Sequence, residues 1–218
     1  SSDMKETLQE SEKKDIFEEK EETRKIKKLK IEDSEISKID ALKEHLKSKK
    51  DTKSLLPLED YVRSGIHLGT KVIMPEMRKF VYRRRADGLA ILNTEIIDTK
   101  LKEAAEFLTK FDPKDIIIVC KREAGWKAVN LFSQITGIRV FTKKYPAGIV
   151  TNIKLENFFE PALIVICDPW LDKNALKDAK KTNKKLLALC DTNNVTMGAD
   201  MIVPCNNKSD KSLGLIFY

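Results

Sequence analysis

Histidine is almost absent. The 218-residue sequence has two, His45 and His67, and this removes most routes to a hydrolytic triad, which needs a nucleophile, a base and a group that orients the base. His67, set between Ile66 and Leu68, suits a hydrogen-bonded structural role or a phosphate contact better than catalysis, and no catalytic residue is expected. Glycine is scarce too, at eight residues, and neither GxGxxG nor GxxxxGK[ST] occurs. "GIHLGTK" (65–71) has glycines four apart and its lysine two after the second, the wrong frame for a phosphate loop. "NKSD" (207–210) is spelled like a guanine-reading motif, but without a phosphate cradle it reads as coincidence. The four cysteines show no CxxC spacing and read as reduced thiols. Each closes an apolar run, so a four-thiolate zinc site competes with simple burial; burial is the commoner fate of cysteine. No metal and no cofactor are expected. Long apolar runs are missing as well: "ALIVIC" (162–167) is far short of the roughly 20 residues a membrane span requires. "SSDMKETLQE" lacks the apolar centre of a signal peptide. A cytoplasmic protein without a membrane partner is the expectation.

Residues 1–54 contain neither glycine nor proline and a single phenylalanine. Charge blocks such as "EEKEETRKIKKLK" fill them, and such a segment cannot bury a core of its own. It reads as a charged N-terminal extension. Either it is a solvated helix, with Ile36, Ile39, Leu42 and Leu46 on one face, or it orders on a partner. Its acids and bases balance, so the whole net charge of +7 resides in residues 55–218. A pI near 9.1 concentrated in the compact part predicts a polyanionic partner, nucleic acid before membrane.

That excess is densest in "VRSGIHLGTKVIMPEMRKFVYRRR" (62–85), which holds Arg63, Lys71, Arg78, Lys79, Arg83, Arg84 and Arg85 against the single acid Glu76. Five of these seven cations are arginine, whose planar fork grips phosphate at two points. Phe80 and Tyr82 lie among them, able to stack or anchor. Phosphate-backbone binding is favoured over plain solvation. Lys121, Arg122, Lys143 and Lys144 are secondary candidates.

From "LLPLEDY" (55–61) onward the pattern is that of an α/β domain. Apolar runs "GLAIL" (88–92), "DIIIVC" (115–120), "IRVF" (138–141), "ALIVIC" (162–167), "KLLALC" (185–190) and "MIVPC" (201–205) predict strands. Helical spacing relates Leu101, Ala104, Ala105, Leu108 and Phe111, with "DPK" (112–114) as the stop. It relates Trp126, Val129, Phe132 and Ile135 in a second helix, with Gly137 as the C-terminal cap, and a modest helix is expected over 173–182. Strands apolar on both faces alternating with amphipathic helices predict a doubly wound, mostly parallel sheet. In such sheets ligands bind at the carboxyl ends of the strands, here "VCKRE", "ICDPW", "LCDTNN" and "PCNNK". Asp168 and Asp191 could ligate a metal or a ribose there, but capping of the following turn is the commoner role. The rival reading is therefore a nucleotide- or phosphosugar-binding enzyme with its site at that rim, counted against by the missing phosphate loop.

Taken in order, "YVRSGIHLGT", "FVYRRRADGLAILN", "YPAGIVTN", "DPW", "CDTNN" and "VPCNNKSDKSLGLIFY" resemble the archaeal and eukaryotic branch of small-subunit ribosomal protein two, over nearly all of residues 55–218. The resemblance implies a flavodoxin-like domain, without enzymatic activity or a small-molecule substrate, that binds small-subunit ribosomal RNA and neighbouring ribosomal proteins. The family's GxHxG element matches Gly65, His67 and Gly69. Its asparagine-rich element matches Asn206, Asn207 and Lys208, which adds Asn207 and Lys208 to the candidate RNA contacts. The long helical hairpin of the bacterial branch has no counterpart in this sequence.

Overall fold

Four short runs of β-branched and aliphatic residues set the architecture. In a computed structural model, which describes residues 54–196 and 198–218, they become β3 (Ile116–Val119), β5 (Leu163–Ile166), β6 (Lys185–Cys190) and β7 (Met201–Pro204), joined by the edge strand β4 (Arg139–Phe141). All are parallel, in the order β4-β3-β5-β6-β7. Every residue of β3 and β5 is buried, as expected when helices cover both sheet faces. The expectations placed on residues 1–54 lie, apart from Ser54, outside the described residues.

Among the described residues five α-helices accompany the sheet: α1 (Leu58–Ser64), α2 (Thr94–Thr109), α3 (Trp126–Thr136), α4 (Lys173–Lys181) and α5 (Asp210–Ile216). Asn93 starts α2 by accepting the Glu95 amide at 3.0 Å, and α2 ends before the Pro113 turn. Gly137 ends α3 at φ 77, donating to Ser133, as the sequence pattern predicts. The crossover through α3 steps to β4, on one side of β3. That through α4 steps the other way, from β5 to β6. Because parallel crossovers are right-handed, the two helices lie on opposite faces of the sheet. The order reverses between β3 and β5, so the carboxyl ends of those two strands form the crevice where such folds bind ligands.

One expected strand falls elsewhere. "GLAIL" contributes β2 (Ala90–Leu92), which pairs antiparallel with β1 (Val81–Arg84) in a separate two-stranded ribbon. Its other edge is taken by residues 67–70, through Gly69 N to Ala90 O at 2.8 Å and Leu92 N to His67 O at 2.8 Å. With both edges occupied, β2 has none to offer the parallel sheet. Among the described residues no helix joins β6 to β7; the connection runs through turns over 191–196 and 198–200, and its residue Thr192 packs against Gly69 and Thr70 beside the ribbon.

Asp98 on α2 anchors the beginning of the described chain. It is buried and accepts from Leu55 N at 2.9 Å and from the Tyr61 hydroxyl at 2.6 Å, and it pairs with Lys102 at 3.1 Å. Burial alone would raise its pKa, yet these donors carry it below the ordinary aspartate value. The same bond and burial push the Tyr61 phenol up. An apolar cleft of about 440 Å³ opens between α2, α5 and the sheet, lined by residues such as Leu101, Phe132 and Leu215. It places no cation where a phosphate would need one. Among the described residues no helix is long and apolar enough to cross a membrane.

Candidate nucleic-acid interface

The basic stretch is itself folded rather than merely adjacent to a fold. Gly65 closes α1 in the left-handed region at φ 71, a conformation that disfavours any side chain, and the chain turns into the segment beside β2. Gly69 is needed for closeness: a Cβ there would stand 2.7 Å from Thr192 Cγ2 and 3.0 Å from the Ala90 carbonyl oxygen. The two glycines of the GxHxG element thus have different duties, one conformational and one steric.

Through Gly69 and its neighbours the stretch docks on the loops that follow β6 and β7. Thr70 N donates to Thr192 Oγ1 at 2.9 Å, Met74 N to Thr192 O at 2.8 Å and Asn206 N to Ile66 O at 2.8 Å. Glu76, the one acid of the stretch, accepts from the Thr196 amide at 3.2 Å and from its hydroxyl. Its carboxylate is thereby used to fasten the ribbon.

The ribbon then displays its cations. Between Val81 and Arg83 the register shifts, Val81 facing Leu92 and Arg83 facing Ile91, so Tyr82 is the extra residue of a β-bulge. Bulges re-aim side chains, and here Tyr82, Arg83 and Arg84 are all exposed in succession, where a plain strand would turn alternate residues inward. Phe80 and Tyr82 divide the two roles open to them: Phe80 is buried as an anchor and Tyr82 is 58% exposed. Lys71, Arg78, Lys79 and Arg85 are exposed as well. Lys79 leans over the Phe80 ring, 5.1 Å from its centroid.

These cations are not equivalent. Arg63, Lys71, Arg78 and Arg83 have no hydrogen-bond or ion-pair partner from their side chains among the described residues. Arg84 donates at 2.8 Å to both Lys71 O and Gly88 O, tying the ribbon's turn together. Arg85 is gripped by Asp87, Nε to Oδ1 at 3.0 Å, and this bond holds the Asp87 carboxyl down at about 2. Asp87 lies two residues past the stretch. Arg63 sits apart on the last turn of α1, facing Lys211 and Gly214 of α5 across a shallow depression. His67 is half-buried; burial lowers its pKa, and so does the Arg85 charge. Its Nδ1 has no partner among the described residues.

Beneath the ribbon the rim is a closed polar network. Asp191 accepts the Thr192 amide at 2.7 Å and pairs with Lys208 at 2.8 Å. Asn194 Oδ1 accepts from Asp191 N at 2.8 Å and from Asn207 Nδ2 at 2.9 Å. Asn207, expected at the RNA face, is 0% exposed and also donates to Leu189 O at 3.2 Å. That corrects its assignment: it holds the β6 and β7 loops together and presents no polar atom to a ligand. Lys208 is partly exposed but already coordinated by Asp191, Asn193 and Asn207. Burial raises the Asp191 pKa, opposed by the Lys208 ammonium.

The carboxylates at the switch-point crevice are engaged in the same way. Asp168 caps its turn by accepting Trp170 N at 2.8 Å and pairs with Arg122 at 2.8 Å. Asp172 accepts three amides, from Lys121 at 3.0 Å, Cys167 at 3.1 Å and Asp168 at 3.0 Å. Burial still pushes its pKa up to about 6. The carboxylates that a nucleotide- or phosphosugar-using enzyme would deploy are thus engaged by the protein's own donors. Arg122, a secondary candidate, is held at this crevice by Asp168. Lys121 is half-buried, whereas Lys143 and Lys144 are exposed past the end of β4, Lys143 lying 5.8 Å from the Trp126 ring. Strand β4 is one edge of the sheet, whereas the ribbon docks on the loops after β6 and β7 towards the other edge.

All four cysteines are buried, unpaired thiols. Burial pushes the thiols of Cys190 and Cys205 up, and the Cys120 sulfur beside Cys167 does the same there, with burial adding to it. Among the described residues no group of three His, Cys, Asp or Glu is arranged to hold a metal ion. Sequence reading missed Thr192 and Thr196 as docking points and Trp170 as an exposed aromatic at the rim. "DPW" and "CDTNN" hold Trp170 and Thr192, but which of their side chains face outward depends on the turns, and Thr196 lies in no motif.

Comparison with known proteins gives the chain its family. The family described as Ribosomal protein S2 matches residues 156–218. A small ribosomal subunit protein uS2 of Ignicoccus hospitalis is 41% identical over 165 residues, covering 75% of this chain and 78% of the relative. That of Nanoarchaeum equitans is 41% identical, covering 76% and 82%. That of Methanococcus maripaludis is 39% identical over 168 residues, covering 77% and 76%.

Proposed function

Because the chain belongs to the ribosomal protein S2 family, we propose that it is a structural constituent of the small ribosomal subunit that holds ribosomal RNA with the β1–β2 ribbon. The observation that carries this reading is the set of exposed, unneutralised cations Lys71, Arg78 and Arg83 on the ribbon and the segment leading into it, which hydrogen bonds to Thr192 and Thr196 fasten to the sheet rim. Such groups release counterions on meeting phosphate, while a rigid support fixes their spacing. The shape of folded RNA, more than base edges, would set specificity. Arg84 and Arg85 keep the ribbon in form and lend it charge. His67 and Lys208 flank it, and Arg63, Lys121, Arg122, Lys143 and Lys144 serve as outlying contacts. Leu131 and Ile135, exposed one helical turn apart on α3, suit a neighbouring ribosomal protein. The role is non-catalytic and places the chain in the cytoplasm with the subunit.

The test is sedimentation of cell extract containing the triple variant Lys71→Glu, Arg78→Glu, Arg83→Glu. Wild-type chain is expected to travel with small subunits and leave them only at high salt, and the variant to leave at much lower salt or never join. Unchanged incorporation of the variant would remove the ribbon from the interface.

A further inference from the structure

A second feature of the carboxyl rim is left over once the ribbon and the internal network are accounted for. Trp170 is 72% exposed, an unusual position for a side chain whose burial is worth so much. It stands at the mouth of a crevice of about 590 Å³ shared with Arg122, Lys173, Lys177, Asn193 and Lys208, within the ~300–1,000 Å³ range of small-ligand sites. The only acid among its lining residues is Asp168, which is 3% exposed and bound to Arg122. With Arg122 paired to Asp168 and Lys208 to Asp191, the cationic excess in the crevice comes from Lys173 and Lys177. Lys173 and Lys177 project from successive turns of α4, and the Lys173 ammonium lies 5.3 Å from the Trp170 ring centroid. Arg122 Nε is buried and has no partner among the described residues.

An exposed indole beside a file of cations is what single-stranded nucleic acid needs: a flat face for the base and ammonium groups for its phosphates. A protein partner would equally accept the tryptophan, but it gains little from desolvating Lys173, Lys177 and Lys208 together, since lysine is depleted at protein interfaces. We infer that the crevice beside Trp170 is a subsite for an unstacked nucleotide of single-stranded RNA, its base on the indole and its phosphates on Lys173 and Lys177. This rests on the RNA-binding reading above but concerns a different surface, on the α4 side of the rim. It adds a contact with a base face to contacts that are otherwise with the backbone.

The experiment titrates the full-length protein with an eight-nucleotide single-stranded RNA, with heparin of similar charge and with AMP, following tryptophan emission and affinity. RNA is expected to quench emission and heparin, which has no bases, to bind without the quench. Trp170→Ala should weaken RNA binding roughly ten- to a hundredfold without changing the dependence on salt. Trp170→Phe should keep most of the affinity and lose the quench. If Trp170→Ala binds RNA as the wild type does, with its salt dependence intact, the subsite is wrong while the ribbon reading stands. If the wild type binds no RNA at all, both fall. Saturation by micromolar AMP alone would assign the crevice to a free nucleotide instead, and loss of a neighbouring protein from subunits with RNA affinity unchanged would assign it to that protein; either result overturns the inference.

Discussion

The ribbon and the rim beneath it are both rich in polar side chains, yet they use them in opposite ways. At the rim, Asp168, Asp172, Asp191, Asn194 and Asn207 are almost wholly buried, and each is hydrogen-bonded to the protein. On the ribbon and the segment leading into it, the side chains of Lys71, Arg78 and Arg83 are exposed and bonded to nothing among the described residues. The difference separates structural from functional polarity. A buried polar group must be satisfied internally, because leaving it unmade costs far more than making it gains. A group meant for another molecule has to be left open. Asn207 of the asparagine-rich element, read in the sequence as a contact, belongs to the first kind.

That contrast can be broken most forcefully at Asn207. Asn207→Ala leaves Leu189 O and Asn194 Oδ1 each short of a donor in a dry site, and is expected to lower unfolding stability by about 3 kcal/mol in urea titration. RNA affinity per folded molecule should change little. Gly69→Ala attacks the seam between the two regions by placing a methyl group against Thr192 and Ala90. A loss of about 2 kcal/mol, together with faster exchange of the Thr70 and Met74 amides, is expected.

Asp172 sharpens the comparison through pH. Its carboxyl keeps its proton to about 6 in the folded chain, higher than when unfolded, so between about pH 4 and about pH 6 the native state binds more protons. Its contribution to stability is present below that window and is lost as pH rises through it. Over those pH values wild type should lose on the order of 1 kcal/mol relative to Asp172→Asn, read from urea midpoints of both proteins at several pH values. The smallest effect belongs to Arg84→Ala. Its two carbonyl partners are exposed and can turn to water, so roughly 0.5 kcal/mol is expected, with the RNA salt slope reduced by about one phosphate contact.

Much of this was legible in the residues. "DIIIVC", "ALIVIC" and "KLLALC" announce doubly covered strands because no polar residue interrupts them, and Gly137 announces a cap because helices end there in a left-handed turn. Asp168 does cap its turn, as the chemistry of "DPW" suggests. "GLAIL" misled because a short apolar run looks the same in a parallel sheet and in a ribbon; edge occupancy decides, and it comes from residues 67–70 and 81–84. Asn207 misled because a motif gives residue types without their depth. Arg85 looked free until the turn at Gly88 brought Asp87 back against it.

The bulge at Tyr82 makes the ribbon sensitive to length in a way that composition does not reveal. Removing Tyr82 would restore simple alternation after Val81 and turn one of the following arginines toward the protein, subtracting a displayed cation while deleting none. Substitutions along this strand should thus be tolerated more readily than a change in its number of residues, so that spacing, rather than spelling, is what this surface has to preserve.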